Sequence, residues 1–251
     1  MTGKPVVLVT GGARRIGAAI GRRLGEAGWH VVIHCHRSVE DAQALAVSLP
    51  SAEVCACDLA DGDAVREMID GIAARHEDWR VLVNSAAVFR DDHADALQPE
   101  MFAEAMRVNA EMPMRMAQQF LQQSRSKAGR RIIQLTDQKI ANSNPDFFSY
   151  TMSKHAVAAG NAMLAMAARP GDRIHSLAPG AILPSFDQSA AEAEISHRMN
   201  PLGRRTTLED VADAALFLAT GPLANGQALF VDSGQHLVPQ ARDVIFLARG
   251  T

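Results

Sequence analysis

The chain has one tyrosine and three cysteines, and no run of about eighteen consecutive apolar residues; each shortage closes off a class of protein. Without such a run no membrane-spanning helix is expected. Cys35, Cys55 and Cys57 have no second pair and no companion histidine at ligand spacing, so neither a disulfide framework nor a zinc site is expected. The three read as reduced core thiols, and no metal is anticipated. A basic stripe is missing too: net charge is -3 and no Lys/Arg cluster is interleaved with aromatics, which excludes the usual footprint of a nucleic-acid binder. The amino terminus runs straight into a strand-like segment with no charged-then-apolar leader, so a cytoplasmic protein acting on a small molecule is expected.

At 251 residues, with 47% of them hydrophobic, the chain can bury a large core. Apolar runs of strand length recur at Val6–Val9, His30–Ile33, Glu53–Cys57, Val81–Val83, Ile132–Leu135, Ile174–Leu177 and Ala228–Val231. Helical periodicity fills the gaps: Ile20 and Leu24 within Gly17–Ala27, Val65, Met68 and Ile72 within Ala64–Ala74, Val211, Ala215 and Leu218 within Leu208–Ala219. Strands that are apolar throughout, rather than alternating, belong to a sheet covered on both faces. Their alternation with helices makes it parallel. The expected fold is α/β: a single Rossmann-type doubly wound domain over residues 1–251, with a mostly parallel seven-stranded sheet. The cofactor half covers roughly 1–130 and the catalytic and substrate half roughly 131–251.

Between the first strand and helix, "TGGARRIG" (Thr10–Gly17) supplies a glycine-bearing turn. Its backbone N–H groups converge on a helix N-terminus, a setting for a pyrophosphate, with Gly11 allowing close approach. After the second strand the chain reads "HCHRS", with no carboxylate before Glu40. An acid there would accept from a ribose 2′-hydroxyl; Arg37, Ser38 and His36 would instead complement a 2′-phosphate, which favours NADPH. A solvated Arg37 beside a Ser38 that merely caps the next helix is the bland alternative. "YTMSK" places Tyr150 and Lys154 on one helical face, where the ammonium is expected to lower the phenol's pKa and make it a proton donor. "QLTDQ" puts Asp137 at the end of a buried strand.

Taken together, "TGGARRIG", "CDLAD", "VNSAA", Asn109, Tyr150 with Lys154, Pro179–Gly180 and "VDSG" ending at Gly234 resemble the short-chain dehydrogenase/reductases over nearly the whole chain. That resemblance implies a Rossmann fold, a nicotinamide cofactor and a homotetramer. It implies that Gly11, Arg15 and Ile16 lie at the phosphates, and that Asp58 and Leu59 lie at the adenine. Asn84, Ser85 and Ala86 would line the cofactor, with Pro179 and Gly180 at the carboxamide. Asn109 would hold the water of a relay ending at Tyr150 and Lys154.

Two positions depart from the common pattern: Arg15 where most members have glycine, and Asp137 where they have serine. A serine can donate to a carbonyl, whereas an ionised aspartate only accepts and repels an alkoxide. Next to Tyr150 it suits a ring with N–H donors whose reduction protonates nitrogen. Both departures, with "IHCHRS" and Phe89, resemble the pteridine reductase branch, including the dihydromonapterin reductases. The resemblance implies that Phe89 stacks on a pterin, that Arg15 reaches the cofactor phosphate and the pterin edge, and that Asp137 and Tyr150 manage protons. Two readings compete: a ketone or acyl-thioester reductase in which Asp137 is a protonated donor, and a non-catalytic nucleotide sensor or scaffold.

Three further segments carry expectations. The charge-free Ala156–Ala168 stretch predicts a helix buried all round, against the sheet and either a second subunit, together with the Met101–Met116 segment, or a loop of its own monomer. Residues 181–200, with Pro184, Phe186 and an acidic helical pattern, predict a mobile substrate lid. The tail with Val244–Ala248 predicts docking, on a neighbouring subunit in the simplest case or on its own chain.

Overall fold

The computed structural model describes residues 3–185 and 188–250. Seven strands form one sheet: β1 (Val6–Thr10), β2 (His30–Cys35), β3 (Ala52–Ala56), β4 (Trp79–Asn84), β5 (Arg131–Leu135), β6 (Arg173–Pro179) and β7 (Ala228–Val231). Each matches a segment expected from the sequence. Their spatial order is β3-β2-β1-β4-β5-β6-β7, and every pair is parallel. β1 and β2 are buried at every position because helices cover both faces. This is a single Rossmann-like α/β domain.

Alternate residues of each strand face opposite layers. Val7, Val9, Val31 and Ile33 meet Ile20 and Leu24 of α1 (Arg15–Glu26), Leu45 of α2 (Val39–Ser48) and Val211 and Leu218 of α8 (Leu208–Thr220). On the other face Leu8, Val32 and Leu82 meet Ile69 and Ile72 of α3 (Gly62–Arg75) and Met112, Met116 and Phe120 of α5 (Met112–Gln123). Trp79 and Phe120 pack edge to face at 4.7 Å between ring centres, and the Trp79 indole N–H donates to Val81 O at 3.0 Å. α3 starts two residues before its apolar pattern because Asp61 accepts from the N–H groups of Asp63 and Ala64. The same layer holds α4 (Pro99–Ala105), a π-helical turn at Met106–Glu111 and α6 (Phe148–Ala167).

Within one chain the outer side of α6 is bare, Met163 66% and Met166 88% exposed, so among the described residues no loop of its own monomer covers it and only the side toward β6 and the π-helical turn is packed. The tail docks on its own chain, where α9 (Val244–Arg249) packs against α7 (Ala190–Ser196) of the 181–200 segment. That segment holds the expected acidic helix, while Phe186 lies outside the described residues. The three cysteines are free. Cys35 is buried, whereas Cys55 and Cys57 are only half-buried against Met68, and burial pushes their thiols up to about 12 and about 11. Among the described residues no helix is long and apolar enough to cross a membrane.

The strand order reverses between β1 and β4, so the crevice at their carboxyl ends is where this architecture binds ligands. At the far end of β5 and β6, Arg130 and Asp172 form a buried two-pronged pair, Nε to Oδ1 at 2.9 Å and Nη2 to Oδ2 at 2.5 Å. Removing one partner leaves the other charge uncompensated in the core. Asp172→Ala is expected to cost about 3–5 kcal/mol of unfolding free energy, read as a lower midpoint in urea denaturation. A loss below about 1 kcal/mol would show that the pair is not sequestered from water.

Candidate active site

The glycine turn is held by one hydroxyl and one imidazole. Thr10 Oγ1 accepts from the N–H groups of Ser85 at 3.0 Å and Ala86 at 3.2 Å, which clamps the ends of β1 and β4. Gly11 sits at φ 62°, and a Cβ there would lie 2.9 Å from Ala86 Cα. A Cβ on Gly17 would come within 2.2 Å of Gly11 O, so the first turn of α1 can close on the loop only as glycine. His34 Nδ1 accepts from Gly11 N–H at 3.2 Å, and its Nε2 faces Cys57 O at 3.2 Å. The imidazole thus spans from the glycine turn to the end of β3, and burial pulls its pKa down to about 4, keeping it neutral. In the sequence it is one of two closely spaced histidines of "IHCHRS", with nothing to single it out.

Arg15 opens α1 at φ 52°, a left-handed backbone that costs a non-glycine residue about 1–2 kcal/mol. Its guanidinium leans on Pro184 O at 3.4 Å, so it stands at the mouth beside the 181–200 segment. Ile16 is half-buried in the first turn. Across the crevice His36 and Arg37 are exposed, His36 Nε2 lying 3.8 Å from Asp58 Oδ2, and the Arg37 guanidinium makes no ion pair among the described residues. Ser38 occupies the N-cap of α2 without a capping hydrogen bond, so capping does not account for its hydroxyl. Asp58 turns one oxygen to Ala60 N–H, and Leu59 is buried behind it. Asn84 donates to Pro113 O at 3.3 Å while its Oδ1 is buried without a partner. At the end of β6, Gly180 admits the Gln235 side chain, whose Oε1 accepts from Ala181 N–H at 2.9 Å and would lie 2.6 Å from a Cβ. Pro179 pairs with Val231. The glycine turn and the exposed Arg37, without an ion pair among the described residues, fit a phosphorylated dinucleotide.

The second cluster grows from the start of α6. Phe147 enters the helix with φ 53°, and buried Asp92 accepts from the N–H of Ser149 with both carboxylate oxygens, at 3.0 and 3.2 Å, and from its hydroxyl. An anion at a helix N-terminus satisfies orphan donors and the dipole together, which fixes the next residue, Tyr150. The Tyr150 hydroxyl donates to Asp137 Oδ2 at 2.9 Å. Asp137 Oδ1 accepts from Lys139 N–H at 2.9 Å, so the acid both caps a short turn and faces the phenol. Lys154 Nζ donates to Leu135 O at 2.6 Å and lies 5.4 Å from the Tyr150 ring centre.

This geometry corrects the expected pKa of Tyr150. Burial and the adjacent Asp137 carboxyl raise it well above its usual value, outweighing the more distant ammonium. Burial also raises Asp137 and pulls Lys154 down to about 8. Asn109 lies in the π-helical turn with its amide committed to both backbone groups of Val88, at 2.7 and 2.9 Å, and to Ser153 Oγ at 3.1 Å. Any relay water would have to meet main-chain atoms there. Phe89, in the loop that Asn109 holds, stacks on Phe147 at 4.3 Å and meets Tyr150 edge-on at 4.7 Å. Asn109, Asp137, Tyr150, Lys154 and Phe89 are therefore brought together, and the glycine turn flanks them.

The family model described as enoyl-(acyl carrier protein) reductase matches residues 11–236. The chain is a short-chain dehydrogenase/reductase. Among relatives of this family, a ketoacyl reductase of the granaticin polyketide synthase of Streptomyces violaceoruber is 32% identical over 243 residues, covering 93% of this chain and 97% of that one. The FolM alternative dihydrofolate reductase 1 of Brucella suis, solved with NADP, superposes with a TM-score of 0.89 at 33% identity, covering 96% of this chain and 98% of that one. The angucycline C-6 ketoreductase LanV, also solved with NADP, gives 0.85 at 26% identity over 93% and 96% of the two chains. The short-chain dehydrogenase/reductase assignment makes the chain an oxidoreductase.

Two features lie away from this crevice. A cavity of about 350 Å³ at the amino ends of β1 and β4 is lined by Lys4, Arg75, Arg80 and Arg125 and holds none of the residues above. Near it, Glu53 gathers His30 at 3.9 Å, Arg75 at 3.0 Å and His76 at 3.1 Å, which hold its carboxyl well below the usual range. No metal was expected from the sequence, and it gave no warning of this cluster, whose members are scattered along the chain.

The neutral His34 makes a testable link to pH. Its folded pKa of about 4 lies below the 6.5 of an ordinary histidine, so between these values the unfolded chain binds more protons than the native one. Stability therefore falls as pH drops through that window, by about 3 kcal/mol for His34, and His175, pulled down to about 4 by burial, acts in the same sense. Urea midpoints should fall less between neutral pH and about pH 4.5 for His34→Gln than for the wild type; parallel losses would show that His34 titrates normally.

Proposed function

We propose that the protein is an NADPH-dependent reductase of pterins, taking a 7,8-dihydropterin of the dihydromonapterin or dihydrofolate kind to the tetrahydro form. The observation that carries this reading is the 2.9 Å hydrogen bond from Tyr150 to a half-buried Asp137. The cofactor is NADP(H). Three solved relatives hold NADP, and here Arg37, Ser38 and His36 stand where an acid would favour NADH. NADPH supplies the hydride when bound.

The chain's own residues supply place and proton. Phe89 and Tyr150 offer a flat apolar face and an edge to a planar ring. Asp137 accepts from ring N–H or amino donors, which a ketone lacks. Tyr150 and Asp137 hold a proton between them, since burial raises both and the Asp137 carboxyl raises Tyr150 further, and one of them passes it to the ring nitrogen of the reduced C=N bond. Lys154 orients the phenol from the floor formed by Leu135. FolM of Brucella suis and of Brucella canis, each at 33% identity, lends this reading support.

The ketoacyl reductase and LanV relatives favour a second reading, reduction of a ketone or acyl thioester with Asp137 protonated as donor. Assembly into a homotetramer, implied by the family, would cover Met163 and Met166 on α6.

NADPH oxidation should be seen with dihydropterins and not with a panel of ketones and β-keto thioesters. Turnover of the carbonyl panel alone overturns the proposal, and NADPH binding without any turnover promotes a nucleotide sensor. Tyr150→Phe should lower kcat by about 10²–10⁴-fold, and Asp137→Ser should lower kcat/KM for the pterin more than for any carbonyl. Because Tyr150 titrates well above its ordinary value, the proton it gives is present at neutral pH and lost as pH rises. kcat should therefore fall on the alkaline side, and an acid-side fall with a flat alkaline limb would contradict the assignment.

A further inference from the structure

The tail beyond "VDSG", left over from the family pattern, is tied to the head of α6, to the turn after β5 and to α7. Asp243 caps α9 by accepting from Ile245 N–H at 3.0 Å, and its other oxygen lies 2.5 Å from Lys139 Nζ, with both side chains over nine-tenths buried. Arg242 grips buried Asp146 at 2.8 Å, and Asp243 N–H donates to the same carboxylate at 2.7 Å. Phe246 stacks on Phe147 at 5.9 Å, and Phe89 stacks on the same ring at 4.3 Å, each at a 22° tilt. Arg249 bonds Glu192 of α7 at 3.2 Å. Ile245 completes a small apolar cluster with Phe147 and Tyr150.

Lys139 is the common member. Its main-chain N–H holds Asp137 Oδ1, while its ammonium holds Asp243 and donates to Asn144 Oδ1 at 3.1 Å. One residue thus fixes the reacting acid and the tail. We propose that Arg242–Arg249 is a wall of the substrate site held in cis by a Lys139–Asp243 latch, with Lys139 a positioning residue for Asp137. The wall favours planar nitrogen heterocycles, because Phe246, Phe147 and Phe89 set aromatic surface beside Tyr150. This deepens the pterin reading and rests on it for the substrate class. The charged and titratable groups facing the acid pair are Lys139 from the turn after β5, Lys154 from α6 and Asp243 from the tail.

Asp243→Asn keeps a capping side chain and removes the latch charge; Phe246→Ala removes a ring and leaves the latch. Both should raise KM for the dihydropterin by about tenfold with KM for NADPH unchanged. Only Asp243→Asn should also move the alkaline limb of kcat to lower pH, because a negative charge facing Tyr150 is gone and Lys139 is left unpaired beside Asp137. A substrate-free arm separates the wall from the pterin reading: hydrogen exchange of the NADP⁺ complex. Faster exchange in 146–150 and 244–249 of Asp243→Asn supports the latch whichever substrate the enzyme uses. Wild-type exchange there overturns it, and faster exchange with unchanged KM in both variants overturns the wall. If the wild type reduces only carbonyls, the pterin reading fails alone and the same KM comparison is made with the best ketone.

Discussion

A carboxyl group buried against a phenol is an awkward object, and most of this active site can be understood as what keeps it in place. Burial raises both groups' affinity for protons, and Asp137 raises that of Tyr150 further, while the hydroxyl that Tyr150 donates pulls Asp137 the other way. The arrangement holds because each partner is pinned from outside. Asp137 is capped by Lys139 N–H, Tyr150 is aimed by the Asp92 clamp at the head of α6, and Lys154 is anchored to Leu135 O. Such rigidity is what the proposed role, accepting from a ring and returning a proton to it within one turnover, requires.

Most of the scaffold could be read from residues alone, since seven continuous apolar runs with helical spacing between them admit few other folds. The motif positions were equally legible: Asn109, Asp137, Tyr150, Lys154 and Phe89 meet within one crevice although they lie as far apart in sequence as residues 89 and 154. What escaped reading depends on three-dimensional neighbours. His34 and Asp92 look like ordinary strand and loop residues until a glycine N–H and a helix N-terminus are placed against them. The direction of the Tyr150 shift was misjudged because spacing brings Lys154 near but says nothing of burial or of the carboxyl that lies closer. The bare methionines of α6 show the same limit, since absence of charge marks an apolar face without naming what covers it.

Arg15 joins the two kinds of information. Its left-handed backbone is the reason glycine is common there in the family pattern, and the strain is accepted for a cation at the rim of the crevice. Gly11 and Gly17 lack that freedom, because any side chain would strike Ala86 or the Gly11 carbonyl itself.

The imidazole of His34 has one more implication. By joining the loop that would cradle a pyrophosphate to the strand end that would meet adenine, it makes both grips parts of a single rigid gauge. Being uncharged down to about pH 4, the gauge keeps its length across every condition in which a cell works. A dinucleotide held as proposed would be measured along its adenosine half by a ruler that acidification does not stretch.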